Sequence, residues 1–331
     1  MTILRKADAQ EIVDHLETLK RQYAADPERK FWPQCLFHFT DVNNAAKILD
    51  IGYIYSRAEL ERRGIEIADA ASPDVLHVTD RRVKEHVRLY FRPKTPTQYS
   101  NEGIRPKDKQ KYGAHCPVPV MLLFDAKEIL TRQSTCFSDA NLAAAGTNVF
   151  SSADYFKKLP FDKIYHMGWQ DYDDEVKRRR NAEVIVPTEL DLTALKGIRC
   201  RSQADLETLR HLLSYDAFMN WHKILGVDSR RNLFDSRWLF VRQATLLADS
   251  LHLQFENVKL DERFHARLRV TSLRFDRQGE WEESVYQITN PLRFTVKGYA
   301  DGYRAEFYLD GNLVYHGEYC GANEQEQGEF L

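Results

Sequence analysis

Arg178-Arg179-Arg180-Asn181-Ala182-Glu183-Val184-Ile185-Val186 passes from a basic run into an apolar one. Ala182 to Val186 reads as a short buried strand, and it carries one carboxylate, Glu183. A carboxylate withdrawn from water is costly unless a partner or a function holds it there. Side chains alternate across a strand, so Glu183 lies on the face opposite Val184 and Val186. That face is either solvent or a cleft. In a cleft, Glu183 is a candidate catalytic carboxylate. Taken alone, Arg178 to Arg180 read as a solvated turn.

Two upstream segments belong with it. Leu36-Phe37-His38-Phe39-Thr40 reads as part of a strand entering a helix. His38 there is either a core histidine or a functional one, and Thr40 or Asp41 can cap the helix that follows. The second segment is Arg88-Leu89-Tyr90-Phe91-Arg92-Pro93-Lys94-Thr95-Pro96. Around these, Ile12, Val13, Leu16, Leu19 and Tyr23 recur at helical spacing, which predicts a helix over residues 7–25. Tyr53 to Tyr55, Val118 to Phe124 and Lys163 to His166 read as further strands, and Leu206, Leu209, Leu212 and Leu213 mark another helix. Short strands and helices that do not strictly alternate predict an α+β fold.

Beyond Phe218 the pattern changes. Leu251 to Phe255, Phe264 to Val270, Leu273 to Phe275, Val285 to Ile288, Leu292 to Val296, Ala305 to Leu309 and Leu313 to Tyr319 read as strands, with turns at Asp276 to Gly279, Asn290-Pro291, Ala300 to Gly302 and Asp310 to Asn312. This predicts an all-β sandwich or barrel with no visible chemistry, suited to binding or stabilisation. The expected organisation is an N-terminal helix and lead-in (1–34), a catalytic domain (35–217), a connection (218–245) and a β-rich accessory domain (246–331).

The net charge of −2 hides an uneven distribution. From Arg81 to Gly113, ten Lys/Arg face three acids, a local +7 that leaves −9 for the rest of the chain. Tyr90, Phe91, Tyr99 and Tyr112 are interleaved with these cations. Cations that track phosphates and aromatics that stack on bases suit a single-stranded nucleic-acid groove; a solvated basic loop is the alternative. No run reaches the roughly 18 apolar residues of a membrane helix, and the N-terminus is not followed by a signal-like apolar stretch. The five widely spaced cysteines form no CxxC pair, which argues against a disulfide framework or zinc site and for a reducing cytoplasm. A Gly-rich phosphate loop, GxSxG and HExxH are all missing.

In this order the segments resemble the DarT family of nucleic-acid ADP-ribosyltransferase toxins. Phe37-His38-Phe39-Thr40 with Asn44 resembles its Tyr-His-x-Thr strand and helix. Leu89 to Pro96 resembles its Phe-Tyr-Phe-x-Pro-Arg-Ser-Pro segment. Cys136 to Asn141 is similar to its Phe-Thr-Asp-x-His turn, with Asn141 where the family often has histidine. Tyr155-Phe156 through Trp169 resembles the helix and strand that follow, and Ala182 to Val186 is similar to its Ala-Glu-Phe-Leu-Val strand. The resemblance covers residues 35–213 and implies a split-sheet ADP-ribosyltransferase core, NAD as substrate and no metal. It implies that Glu183 is catalytic and that His38, Thr40, Asn44 and Tyr90 bind NAD. It gives the grip on the NAD pyrophosphate, and a catalytic role, to Arg82 or its neighbour Arg81, with Arg62 and Arg63 as competitors. The loop from Asp171 to Asn181 would present the acceptor, and Arg92, Lys94, Tyr99, Arg178, Arg179 and Arg180 would contact the nucleic acid.

The function expected on this basis is ADP-ribosylation of a base in single-stranded DNA by a cytoplasmic toxin with a cognate antitoxin, in toxin–antitoxin or phage-defence systems and with no membrane partner. RNA is the close alternative acceptor. A protein-directed transferase and a non-catalytic binding module follow. The β-rich tail could dock the antitoxin.

Overall fold

The computed structural model describes residues 3–66, 81–110, 115–168, 173–230 and 232–321; the side chains of Arg81 and Arg82 lie outside the description. Along the chain run α1 (Ala9–Gln22), β1 (Cys35–Asp41), α2 (Val42–Ile51), β2 (Tyr53–Tyr55), α3 (Arg57–Arg63), α4 (Arg81–Lys84), β3 (His86–Tyr90), α5 (Pro96–Asn101), β4 (Pro119–Asp125) and α6 (Ala126–Leu130). Then come β5 (Cys136–Ser138), β6 (Val149–Phe150), α7 (Ala153–Phe156), α8 (Phe161–Ile164), α9 (Asp174–Arg179), β7 (Glu183–Pro187), β8 (Glu189–Asp191), β9 (Leu195–Cys200), α10 (Gln203–Leu212), α11 (Tyr215–Trp221) and β10 (Leu225–Val227). The remainder is β11 (Phe240–Leu246), β12 (Ser250–Glu256), β13 (Phe264–Ser272), β14 (Gln278–Tyr286), β15 (Leu292–Thr295), β16 (Tyr303–Leu309) and β17 (Asn312–Tyr319). The fold is α+β with a C-terminal all-β part. The chain divides into two compact units. The first is Met1–Phe39, Ile51–Ser100 and Met121–Arg199, and the second is Thr40–Asp50, Asn101–Val120 and Cys200–Leu331.

In the first unit the strands run in the order β9-β4-β1-β3-β7-β5-β6. The β3–β7 register pairs Val87 with Val186 and Leu89 with Val184, which turns these apolar side chains to one face. Phe137, opposite Val184, meets Phe156 edge-on at 5.3 Å, and Phe91 meets Phe161 at 5.6 Å. Burying each such ring contributes roughly 1.5–3 kcal/mol, so this aromatic layer fixes the sheet's position. Arg88 and Tyr90 therefore point to the other face, with Glu183 directly opposite Tyr90.

Lys163 to His166, expected as a strand, is instead the end of the short helix α8 and the turn after it. Phe161, Ile164 and Tyr165 are buried at i, i+3 and i+4, which is helical spacing. A run of four residues was too short to show it. Tyr155 to His166 thus holds two short helices, and Trp169 lies outside the described residues.

The second unit has two antiparallel sheets, β11-β12-β15 and β14-β13-β16-β17. Alternate residues of β12, β13 and β16 are buried, and Leu253, Phe255, Leu268 and Phe307 join one core. Two expectations fail here. Leu273 to Phe275 is a bend with Phe275 62% exposed, and the expected turn Asp276 to Gly279 instead leads into β14. β14 is charged and largely exposed; its ladder with β13, not its hydropathy, makes it a strand. The expected connection 218–245 contains β10 and most of β11.

Candidate active site

β7 starts at Glu183 and is flanked by β3 and β5. The backbone N–H of Glu183 donates to the Ser138 hydroxyl at 3.2 Å, which ties the start of β7 to the end of β5. The Glu183 side chain is 0% exposed. Its Oε2 accepts the Leu142 N–H at 2.6 Å, and the Tyr90 hydroxyl also hydrogen-bonds the carboxyl. Arg88 Nη1 lies 3.5 Å from Oε1. Burial pushes the Glu183 carboxyl above the usual range; Arg88, the Leu142 N–H and the Tyr90 hydroxyl partly offset this. Tyr90, on the same face of β3, is raised by burial and by the charge of Glu183.

His38 lies on β1 and its Nδ1 faces the Arg88 carbonyl at 3.1 Å. A carbonyl only accepts, so Nδ1 carries the proton and Nε2 is left as an acceptor. Burial holds the ring's pKa below the usual histidine range, so the imidazole is neutral near pH 7. Thr40 and Asn44 belong to the second unit and are both buried. Of the expected helix caps, Asp41 accepts the Asn43 N–H at 2.9 Å.

Arg62 and Arg63 are already engaged. Both reach the Glu59 carboxylate, and Arg63 also stacks on Tyr55 at 4.1 Å. Burdened with these partners, they are poor choices for the pyrophosphate. The side chains of Arg81 and Arg82 lie outside the described residues.

One of the expected nucleic-acid contacts needs correction. Arg92 is 1% exposed; its guanidinium donates to the carbonyls of Pro93, Ile164 and His166 and lies 4.7 Å over the Trp32 ring. It is a core residue, because a planar fork can serve several carbonyls at once. Arg178 donates to the Gly146 carbonyl at 2.6 Å, and Arg179 donates to the carbonyl and carboxylate of Asp139. Arg180 donates to the Lys94 carbonyl at 3.0 Å. These three half-buried arginines tie α9 and the turn after it to the segments carrying Asp139, Gly146 and Lys94. Lys94, with φ +54°, and Tyr99 remain half-buried near the same place in the chain. Of the expected acceptor loop, residues 169–172 lie outside the described residues and Asp174 to Arg179 form α9.

Arg88 and the Leu142 N–H contact Glu183 and were not among the expected site residues. Period-2 alternation with Tyr90 could have pointed to Arg88. Nothing local points to Leu142, because its partner is 41 residues away. Among the described residues, no three His, Cys, Asp or Glu side chains gather as a metal site.

A family model described as "ssDNA thymidine ADP-ribosyltransferase, DarT" matches residues 37–232, more than half of the chain. The chain belongs to the DarT family. A curated relative from Thermosipho africanus (strain H17ap60334), a DNA ADP-ribosyl transferase–DNA ADP-ribosyl glycohydrolase fusion protein, is 25% identical over 172 residues. That covers 49% of this chain and 41% of the relative, so the match spans about two fifths of the fusion protein. Among solved structures, Thermus sp. 2.9 DarT in complex with ADP-ribosylated ssDNA is 16% identical, with a TM-score of 0.47 over 61% of this chain and 96% of that one. Thermosipho africanus DarTG in complex with ADP-ribose is 18% identical, with a TM-score of 0.46 over 64% of this chain and 53% of that one. The DarT match contains every candidate site residue from His38 to Glu183, and it ends before β11.

Proposed function

We propose that the chain transfers ADP-ribose from NAD to a thymine base of single-stranded DNA, with Glu183 at the reacting centre. The observation that carries this reading is a fully buried glutamate, held by a backbone N–H and faced by a guanidinium, in a chain of the DarT family. NAD and ADP-ribosylated ssDNA are what the Thermus DarT structures hold. The Thermosipho relative joins a transferase to a glycohydrolase.

Breaking the nicotinamide–ribose bond sends its electron pair into nicotinamide and builds positive charge on the ribose. A carboxylate beside that ribose stabilises the cation, an effect worth roughly 3–4 kcal/mol for one preorganised group. The base forms the new bond to the same carbon and loses a proton, which the Glu183 carboxylate accepts. The products are nicotinamide, the modified base and that proton. On this reading His38, neutral and fixed through Nδ1, holds the ribose or the nicotinamide amide together with Tyr90. Arg82, or Arg81, grips the pyrophosphate, where a guanidinium fork matches phosphate oxygens. Lys94 and Tyr99 contact the strand.

Such an enzyme damages the DNA of its own cell. A cytoplasmic toxin, answered by an antitoxin that removes ADP-ribose or covers the site, follows from this chemistry, and defence against phage is a use for it. No helix among the described residues is long and apolar enough to cross a membrane.

The test incubates the full chain with NAD and matched single-stranded DNA and RNA oligonucleotides, read by intact mass, with Glu183→Gln alongside. A DNA adduct that the variant fails to form is the expected result. An adduct only on RNA would move the substrate, and NAD consumption without either adduct would point to a protein acceptor or a glycohydrolase.

A further inference from the structure

We infer that Arg88 is the positioning residue of the site: its guanidinium orients the buried Glu183 carboxylate and keeps it ionised, while its carbonyl orients His38. This rests on the reading of Glu183 as the catalytic carboxylate.

The placement follows from register. Val87 and Leu89 are buried on the aromatic face, so Arg88 and Tyr90 share the opposite one. Tyr90 pairs with Glu183 and Arg88 with Ile185, which makes Arg88 the diagonal neighbour of Glu183, within reach of a long side chain. The two carboxylate oxygens are treated differently. Oε2 takes the Leu142 N–H, whereas Oε1 accepts no hydrogen bond among the described residues and has Arg88 Nη1 at 3.5 Å. A carboxylate with no exposure needs a counter-charge to stay ionised, and Arg88 supplies one. The contact is longer than a good hydrogen bond, so Oε1 keeps a lone pair for a proton from the acceptor base.

The main chain of the same residue does a second job. The Arg88 carbonyl receives the His38 Nδ1 proton, which fixes the tautomer and the ring. One residue of β3 thereby contacts both side chains, Glu183 through its guanidinium and His38 through its carbonyl. A guanidinium whose main task was to grip NAD phosphates would act on binding. One that tunes Glu183 acts on the chemical step.

The deciding experiment measures kcat and KM for NAD against pH in the parent, Arg88→Gln, Arg88→Lys and Arg82→Gln. In parallel, the Glu183 carboxyl is titrated by NMR in 13C-glutamate-labelled protein, with its signal assigned through Glu183→Gln. The expected result is that Arg88→Gln moves the acid limb of kcat and the Glu183 titration upward together by roughly 1–3 pH units, the usual effect of one nearby opposite charge. Arg88→Lys restores most of that shift, and KM for NAD changes less than about threefold. An unmoved Glu183 titration in Arg88→Gln would overturn the inference. So would a loss confined to KM, or a titration shift produced by Arg82→Gln in place of Arg88→Gln. The titration needs no turnover, so a chain that modifies no acceptor but shows the shift would sink only the proposed function. Arg88→Met, which removes the charge but keeps an unbranched side chain of similar reach, carries the test if Arg88→Gln does not fold, and an unmoved Glu183 titration there would equally overturn the inference.

Discussion

Arg92 brings a full positive charge into the interior, and three carbonyls receive it. Replacing it by leucine would leave those carbonyls without their donor. Arg92→Leu is therefore expected to lower stability by about 2–4 kcal/mol, read as a urea midpoint shift. The salt dependence of oligonucleotide binding should keep its slope, because a buried guanidinium releases no counterions from DNA. A slope reduced by about one, with stability intact, would return Arg92 to the nucleic-acid surface. The local sequence gave no warning: Arg92 sits in a basic tract beside Lys94, and its carbonyl partners Ile164 and His166 lie more than seventy positions away. Glu183 was different. Its misfit within an apolar run is visible in five residues, which marked it as a candidate, but whether its face met solvent or a cleft, and which partners it had, only the fold decided.

At the scale of elements, α9 works as a clasp. Asp173 caps its N-terminus by accepting the Val176 N–H at 2.7 Å, and its last turn sends Arg178 and Arg179 to the segment from Asp139 to Gly146. That segment carries the Leu142 N–H, so the helix reaches Glu183 through the loop. Arg179→Ala is expected to speed amide exchange at Leu142 and to cut the transfer rate by about tenfold with little change in KM for NAD. Asp139→Asn should do nearly the same, and the double variant should be scarcely worse than either alone, since both remove one interaction. Fully additive losses would mean that the two residues act separately. The run Lys177 to Arg180 drew notice as positive charge; only the fold shows that this charge is spent on two loops. α8 and β14 make the same point for backbone structure. In α8, packing of Phe161 and Ile164 decided, and in β14 it was a ladder with β13.

At the scale of the whole chain, the second unit should register pH through a carboxyl that the proposed chemistry does not use. Burial pushes Glu207, on α10, up to about 7. Unfolded, a glutamate titrates near 4.3. The folded state therefore holds the proton over the interval between about 4.3 and 7, and the stabilisation is complete below it and lost as pH rises through 7. Between pH 5 and pH 8 the parent's thermal midpoint should therefore lose more, or gain less, than that of Glu207→Gln measured alongside it; identical pH dependence in the two would refute it. Strand alternation in β12, β13 and β16, the helical repeat of α1, and the order of the His38, Tyr90 and Glu183 segments were all legible before any fold was known. Each depends on residues only a few positions apart, where side-chain spacing and backbone geometry leave few choices. The arginine that faces Glu183, the carbonyls that hold Arg92, the loop that donates Leu142 N–H and the edge strand β14 emerged only with long-range register and packing. Those contacts join residues distant in the chain, and the worth of a charge depends on how much water the rest of the fold removes from it.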